Sequence, residues 1–412
     1  MEMLAIDGGE PVRTRPFPKR HLFGDEERRV VVELFERAAE SGDAIGYGGP
    51  EEAAYEREFA DFLGGGFADL VNSGTAALYA AVGALELEPA GEVVVPPITD
   101  PGGVMPVALL NQVPVVADAA PGTFNAGAAE IEAVLTPHTR AIVVAHIAGE
   151  PADIQPIAEL ARERGLPLIE DCAQAHGALY RGEPVGRFGE MAVFSTLSGK
   201  HHATGPQGGV VFTRDEGLYW RCRRFSDRGK PFNSPATSNV RAGLNLNGND
   251  LAAAVGRVQL RRLPDIIRRR REVAARLKEA TDRCEAVRTG WEVADTEGVY
   301  WFVRFGVNTD LLRTGKEQFA RAVGAEGIPV TPSYRHIPSE AEWFRERRVF
   351  PPGDYPWGLP AYMGDRNATF PCPVAVEAAE SHFTLSIHEN FGDPEITDIA
   401  AALKKVEDAY LT

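Results

Sequence analysis

Six short β-rich runs recur between residues 92 and 212: Glu92–Val95, Val113–Val116, Ala141–Val144, Pro167–Ile169, Met191–Phe194 and Gly209–Phe212. Helical periodicity fills several of the gaps, notably 127–135 and 154–164. Short apolar runs alternating with helices predict an α/β fold, a mostly parallel sheet covered by helices on both faces. In such a sheet ligands collect at the carboxyl ends of the strands. Those ends are therefore where chemistry-bearing residues are sought.

Two runs end in suggestive residues. Leu166, Leu168 and Ile169 lead into Glu170 and Asp171, so a buried strand delivers a carboxylate to the sheet edge. The run ending in Phe194 passes through Ser195, Ser198 and Gly199 to Lys200, with a glycine-rich turn behind it. A buried aspartate beside a buried lysine suits pyridoxal 5'-phosphate (PLP): the acid keeps the pyridine nitrogen protonated and the amine forms a Schiff base. A plain buried ion pair gives the same two residues. Upstream, Ala68–Val71 feeds Asn72-Ser73-Gly74-Thr75 and an alanine-rich helix to about Leu85. That turn offers free N–H groups at a helix N-terminus, a phosphate seat, or simply an N-cap. No GxGxxG follows the first strand, so a nicotinamide dinucleotide site has no support.

At 412 residues the chain exceeds one ordinary core. Helices are expected over 24–64, divided near Gly46–Pro50, where Tyr47 either faces a substrate or sits in a plain connection. A helix at 251–263 is expected to close at Pro264, with a second, charged helix from about Asp265 to Thr281. A strand-like stretch near 299–307, a helix near Lys316–Val323 and a last helix from Glu395 to Ala409 complete a smaller unit. The expected division is a large PLP-binding α/β domain, 1–263, and a small α+β domain, 264–412.

A net charge of −16 argues against nucleic acid or an anionic membrane as partner. The basic run Arg268–Arg271 reads as the solvated face of an amphipathic helix. The four cysteines lie far apart without CxxC, so neither a metal site nor a disulfide framework is indicated. The start of the chain lacks the apolar core of a signal peptide, and no run reaches a membrane span, which makes cytoplasm the expected location.

Over nearly its whole length the chain resembles the DegT/DnrJ/StrS sugar aminotransferases, fold type I PLP enzymes. The resemblance lies in SGTAAL (73–78), EVVVPPIT (92–99), HIAGEPADIQPI (146–157), IEDCAQAHGALYRGEPVG (169–186), FSTLSGKHHATGPQGG (194–209), GLNLNGNDLAAAVGRVQL (243–260) and FTLSIHENF (383–391). It implies Lys200 as the Schiff-base lysine and Asp171 as partner of the pyridine nitrogen. Gln174 would bond the cofactor's phenolic oxygen. Ser195, Gly74 and Thr75 would hold its phosphate, and Asn245 would reach that phosphate from the other subunit of a homodimer. His176 either joins the site or supports the strand end. Lysine rather than histidine at position 200 favours transamination over dehydration. The implied reaction moves an amino group from glutamate or glutamine to a nucleotide-linked ketosugar or a keto-cyclitol, in antibiotic or surface-sugar biosynthesis. A PLP-dependent dehydratase or lyase, and a PLP-binding regulatory protein without turnover, are the competing readings. Three positions depart from the family pattern: Asp100 stands where an aromatic residue usually stacks on the cofactor, Pro206 replaces a glycine, and Leu246 and Asn247 replace Tyr and Arg.

Overall fold

The computed structural model describes residues 2–290 and 292–412. Its large sheet comprises β1 (Phe67–Val71), β2 (Glu92–Val95), β3 (Val113–Val116), β4 (Thr139–Ala145), β5 (Leu168–Asp171), β6 (Met191–Ser195) and β7 (Gly209–Thr213). They lie in the order β1-β7-β6-β5-β4-β2-β3. Strands β6, β5, β4, β2 and β3 pair in parallel, and β7 runs antiparallel to both of its neighbours.

Alternate residues of these strands face opposite cores, as the strand period of two requires. Val93, Val95, Val143, Ile169 and Val193 pack under the alanine-rich helix α3 (Gly74–Ala84) and α5 (Glu216–Ser226). Val94, Ile142, Val144, Ala192 and Phe194 pack under α2 (Pro50–Phe62), α4 (Ile154–Arg164) and α6 (Asp250–Thr281). Burial on both faces explains why the strands read as unbroken apolar runs. A further helix, α1 (Asp25–Ser41), leans on α6.

The expected break at Pro264 does not occur. One 32-residue helix, capped by Asn249, runs through it. A proline inside a helix deletes one backbone hydrogen bond and crowds the preceding turn. Here burial on both sides of the proline outweighs that cost: Leu260, Leu263 and Ile267 sit in the large-sheet core, and Val273, Ala274 and Leu277 in a second core. The basic run on this helix is also only partly solvated. Arg268 and Arg269 are exposed and paired with Asp265, whereas Arg270 is buried against Glu389 and the Tyr300 carbonyl.

The second core lies under a four-stranded antiparallel sheet, β8 (Val287–Thr289), β9 (Phe302–Val307), β10 (Val330–Thr331) and β11 (His382–Ser386), in the order β8-β9-β11-β10. Helices α7 (Lys316–Ala325), α8 (Pro373–Ser381) and α9 (Asp393–Tyr410) pack on or beside it. The N-terminal residues return to this region. Glu326 accepts the backbone N–H groups of Ala5 and Val12, and Arg13 pairs with Glu395 and Asp398. No helix among the described residues is long and apolar enough to cross a membrane.

Candidate active site

Three strand ends converge on one cleft of about 250 Å³ whose lining includes Gly74, Thr75, Asp171, Gln174, Ser195 and Lys200. Of the site residues expected from the sequence, Asn245 lies outside it, as does His176, for which a place in the site and a supporting role were both open.

At the end of β1 the chain turns into α3. The Ser73 hydroxyl accepts from Ala76 N at 3.0 Å, so Ser73 is the helix cap. Gly74 and Thr75 are left facing the cleft. A Cβ on Gly74 would fall 2.8 Å from Ser195 Cβ, and one on Gly209 would fall 2.2 Å from the Ser73 carbonyl oxygen. Glycine at both positions lets the ends of β1, β6 and β7 close up around the helix N-terminus.

Asp171 ends β5, with Oδ1 accepting from Ala173 N at 2.9 Å. Burial raises its pKa; the Ala173 N–H, Lys200 and His146 oppose that, and the nearby charge of Asp100 adds to it. The neighbouring Glu170 points the other way and is fully buried. Its oxygens accept from Gly186, Phe188 and Gly189 N–H groups and from His146 Nε2 at 3.2 Å. His146 Nδ1 accepts from Ala152 N, so Nε2 carries the proton. His146, Glu170 and Cys172 bring three donor atoms within 4.8 Å of one another. The histidine and carboxylate are already committed to these bonds, which fix the strand end that aims Asp171. All four cysteines are free and buried.

Lys200 rides on the loop between β6 and β7. That loop is pinned by Thr196 N to Gly208 O at 2.8 Å and by the Thr196 and Thr204 hydroxyls at 2.7 Å. Burial draws the Lys200 amine down to about 8, against the pull of Asp171 and Asp100. Its Nζ lies 3.8 Å from the centre of the Trp301 ring, and Trp301 Nε1 donates to the Gly199 carbonyl at 3.0 Å. Arg20 clamps the same loop from outside, donating to the carbonyls of Lys200 and His201 at 2.5 and 3.0 Å. Glu389 holds Arg20 and the buried Arg270 together, at 3.0 and 3.1 Å.

Gln174 accepts from Ala148 N at 2.8 Å and donates to the Tyr334 hydroxyl at 3.1 Å. Burial pushes that phenol up to about 12. His176 is not in the cleft lining: it is fully buried against Phe194, His201 and His202, and burial first of all keeps its pKa well below the usual value. It is the strand-end support rather than a cleft group. Asn245 is exposed, on a loop held by Asn72 N to Leu246 O and by Leu246 N to Ser226 O, both 2.8 Å. Asp100 lines the cleft and caps a short turn, accepting from Gly102 N at 2.9 Å.

Trp301, Tyr334 and Arg20 were not singled out from sequence. Trp301 sits in an apolar run that reads as core, Tyr334 in a polar loop without a motif, and Arg20 lies 180 residues from the lysine loop it holds. The matched block FTLSIHENF was the available signal, because it contains Glu389.

A sequence profile of the DegT/DnrJ/EryC1/StrS aminotransferase family matches residues 26–404. The chain is 33% identical over 428 aligned positions to an L-glutamine:2-deoxy-scyllo-inosose aminotransferase of Streptomyces fradiae, covering 98% of this chain and 97% of that one. It is 30% identical to a dTDP-4-dehydro-2,3,6-trideoxy-D-glucose 4-aminotransferase of Saccharopolyspora spinosa, covering 95% and 96%. Among solved structures, the aminotransferase from Psychrobacter cryohalolentis superposes with a TM-score of 0.81 at 27% identity, covering 96% of this chain and 99% of that one. The chain therefore belongs to the DegT/DnrJ/EryC1/StrS aminotransferase family.

Proposed function

We propose that the protein is a PLP-dependent aminotransferase that carries an amino group from glutamate or glutamine to a ketosugar or keto-cyclitol. The observation that carries this reading is the meeting of Lys200 and Asp171 in one cleft beside a glycine-walled helix N-terminus. That donor set fits PLP: an amine for its aldehyde, a carboxylate for its ring nitrogen, and a seat for its phosphate. Bound there, PLP supplies an electron sink for breaking the donor's Cα–H bond.

The residues do the rest. Asp171 would hold PLP through its ring nitrogen, where a charged carboxylate would favour the protonated nitrogen. Ser195, Gly74 and Thr75 seat the phosphate, and Gln174 orients the phenolic oxygen. Lys200 Nζ would remove the proton from the donor's Cα in the first half-reaction and deliver one to the acceptor's former carbonyl carbon in the second, serving as base and then as acid. Burial lowers the free Lys200 amine to about 8, which moves it toward the neutral form a base needs. Trp301 and the Arg20 clamp limit where that amine travels.

The same reading includes a cytoplasmic homodimer in which the exposed Asn245 serves the other subunit's cleft, and a division into units 1–263 and 264–412 bridged by α6. A biosynthetic role in antibiotic or surface-sugar assembly accompanies it. The test mixes PLP-loaded protein with glutamate or glutamine alone. Loss of the cofactor's visible absorbance with release of one equivalent of keto acid supports the reading, and Lys200→Ala should not respond. A wild-type protein inert to both donors would refute it.

A further inference from the structure

We infer that Tyr334 is a positioning residue for the cofactor: its hydroxyl fixes the Gln174 amide in the one orientation that presents an N–H to the phenolic oxygen. The inference rests on the aminotransferase reading above. A glutamine amide has a donor end and an acceptor end of similar size, so its partners decide which end faces a ligand. Ala148 N can only donate, and it stands 2.8 Å from Gln174 Oε1. That oxygen is spent, and Nε2 is the free end. One of its two N–H bonds goes to the Tyr334 hydroxyl at 3.1 Å, which leaves the other for a ligand in the cleft that Gln174 lines.

Both partners of the amide are held independently of it. The turn that carries Ala148 is pinned by Ile147 N to Asn125 Oδ1 at 2.8 Å and by Trp301 N to Ala148 O at 2.7 Å. Tyr334 follows β10, and its ring packs on Phe302, with centroids 4.7 Å apart, and on Phe124, whose plane lies within 10° of its own. The hydroxyl is thus a fixed post at which Nε2 ends. Without it only the oxygen end is tied, and the last torsion of a glutamine is broad. A hydrogen bond donated to the phenolic oxygen steadies its negative charge, so the Schiff-base nitrogen beside it gives up its proton at lower pH. The pH at which the loaded protein's visible absorbance changes therefore reports how the amide is held.

The experiment titrates that absorbance with pH in wild type, Tyr334→Phe, Gln174→Ala and the double variant, all loaded with PLP. The phenol stays protonated across the titration, because burial pushes it up to about 12. Asp100 and Asp171, whose charges reach the phenol, and His336, whose ring stands edge-on to it, are the same in wild type and Tyr334→Phe. Tyr334→Phe keeps the ring and should raise the transition by about 0.5–1 pH unit, the scale of one neutral hydrogen bond. Gln174→Ala should raise it at least as far, and the double variant no further than Gln174→Ala, since the hydroxyl acts through the amide. A transition unmoved in Tyr334→Phe, or shifts that add in full in the double variant, overturn the inference alone. Donor bleaching of the wild type is measured beforehand, and a wild type inert to both donors fails the aminotransferase reading and takes the inference with it.

Discussion

Gly74→Ala tests whether the start of α3 is a phosphate seat. The added Cβ would stand 2.8 Å from Ser195 Cβ and 3.2 Å from both Cα and Oγ of Ser195. Carbon pairs rest at about 3.5–4.0 Å, so the helix start and the end of β6 must separate by roughly 1 Å. One of the opposing atoms is backbone, so rotating a side chain does not relieve the clash. Overpacking of this kind costs about 1–3 kcal/mol, although alanine is intrinsically the better helix former by up to ~1 kcal/mol. The separation moves the Gly74 and Thr75 amides off the phosphate. PLP affinity should therefore fall about 10- to 100-fold, or ~1.4–2.7 kcal/mol. Gly199→Ala is the control from the lysine loop, because its Cβ meets nothing within 4 Å and its φ is not left-handed. Equilibrium titration of each apoprotein with PLP, followed by absorbance, reads the difference. Wild-type affinity in Gly74→Ala, or equal losses in both variants, would refute the seat.

Glu170→Gln should destabilise the protein by about 2–5 kcal/mol, since its amide leaves Gly186 N–H and His146 Nε2–H facing a donor inside the core; a loss below about 1 kcal/mol in urea unfolding would sink that account. Capture of added PLP by the apoprotein requires the neutral Lys200 amine, whose pKa lies near 8 instead of the ordinary 10.5. The capture rate should rise about tenfold per pH unit below 8 and flatten above it, and a rise continuing past pH 10 in stopped-flow traces would contradict the lowered pKa.

The strands and the main pair were legible because they depend on local signals. Parallel strands buried on both sides leave continuous apolar runs, and the polar residue that ends each run marks the sheet edge, which is how Asp171 and Ser195 were found. Pro264 misled for the same reason. Its local preference is to stop a helix, but Leu263 on one side and Leu277 on the other fill separate cores that one continuous helix joins. Arg270 reads as solvated within a basic run, and it is the Tyr300 carbonyl and Glu389, both distant in sequence, that accept from it once buried. Trp301 and Tyr334 carry no local mark either, because an aromatic next to a strand reads as core until topology sets it beside the lysine or Gln174.

Borohydride reduction of the PLP-loaded protein, followed by proteolysis and mass spectrometry of the peptides, tests the central claim most directly. The account predicts a single pyridoxyl adduct on Lys200, with Asp171→Asn shifting the cofactor's absorbance before reduction. An adduct on any other lysine, or none at all, would contradict it.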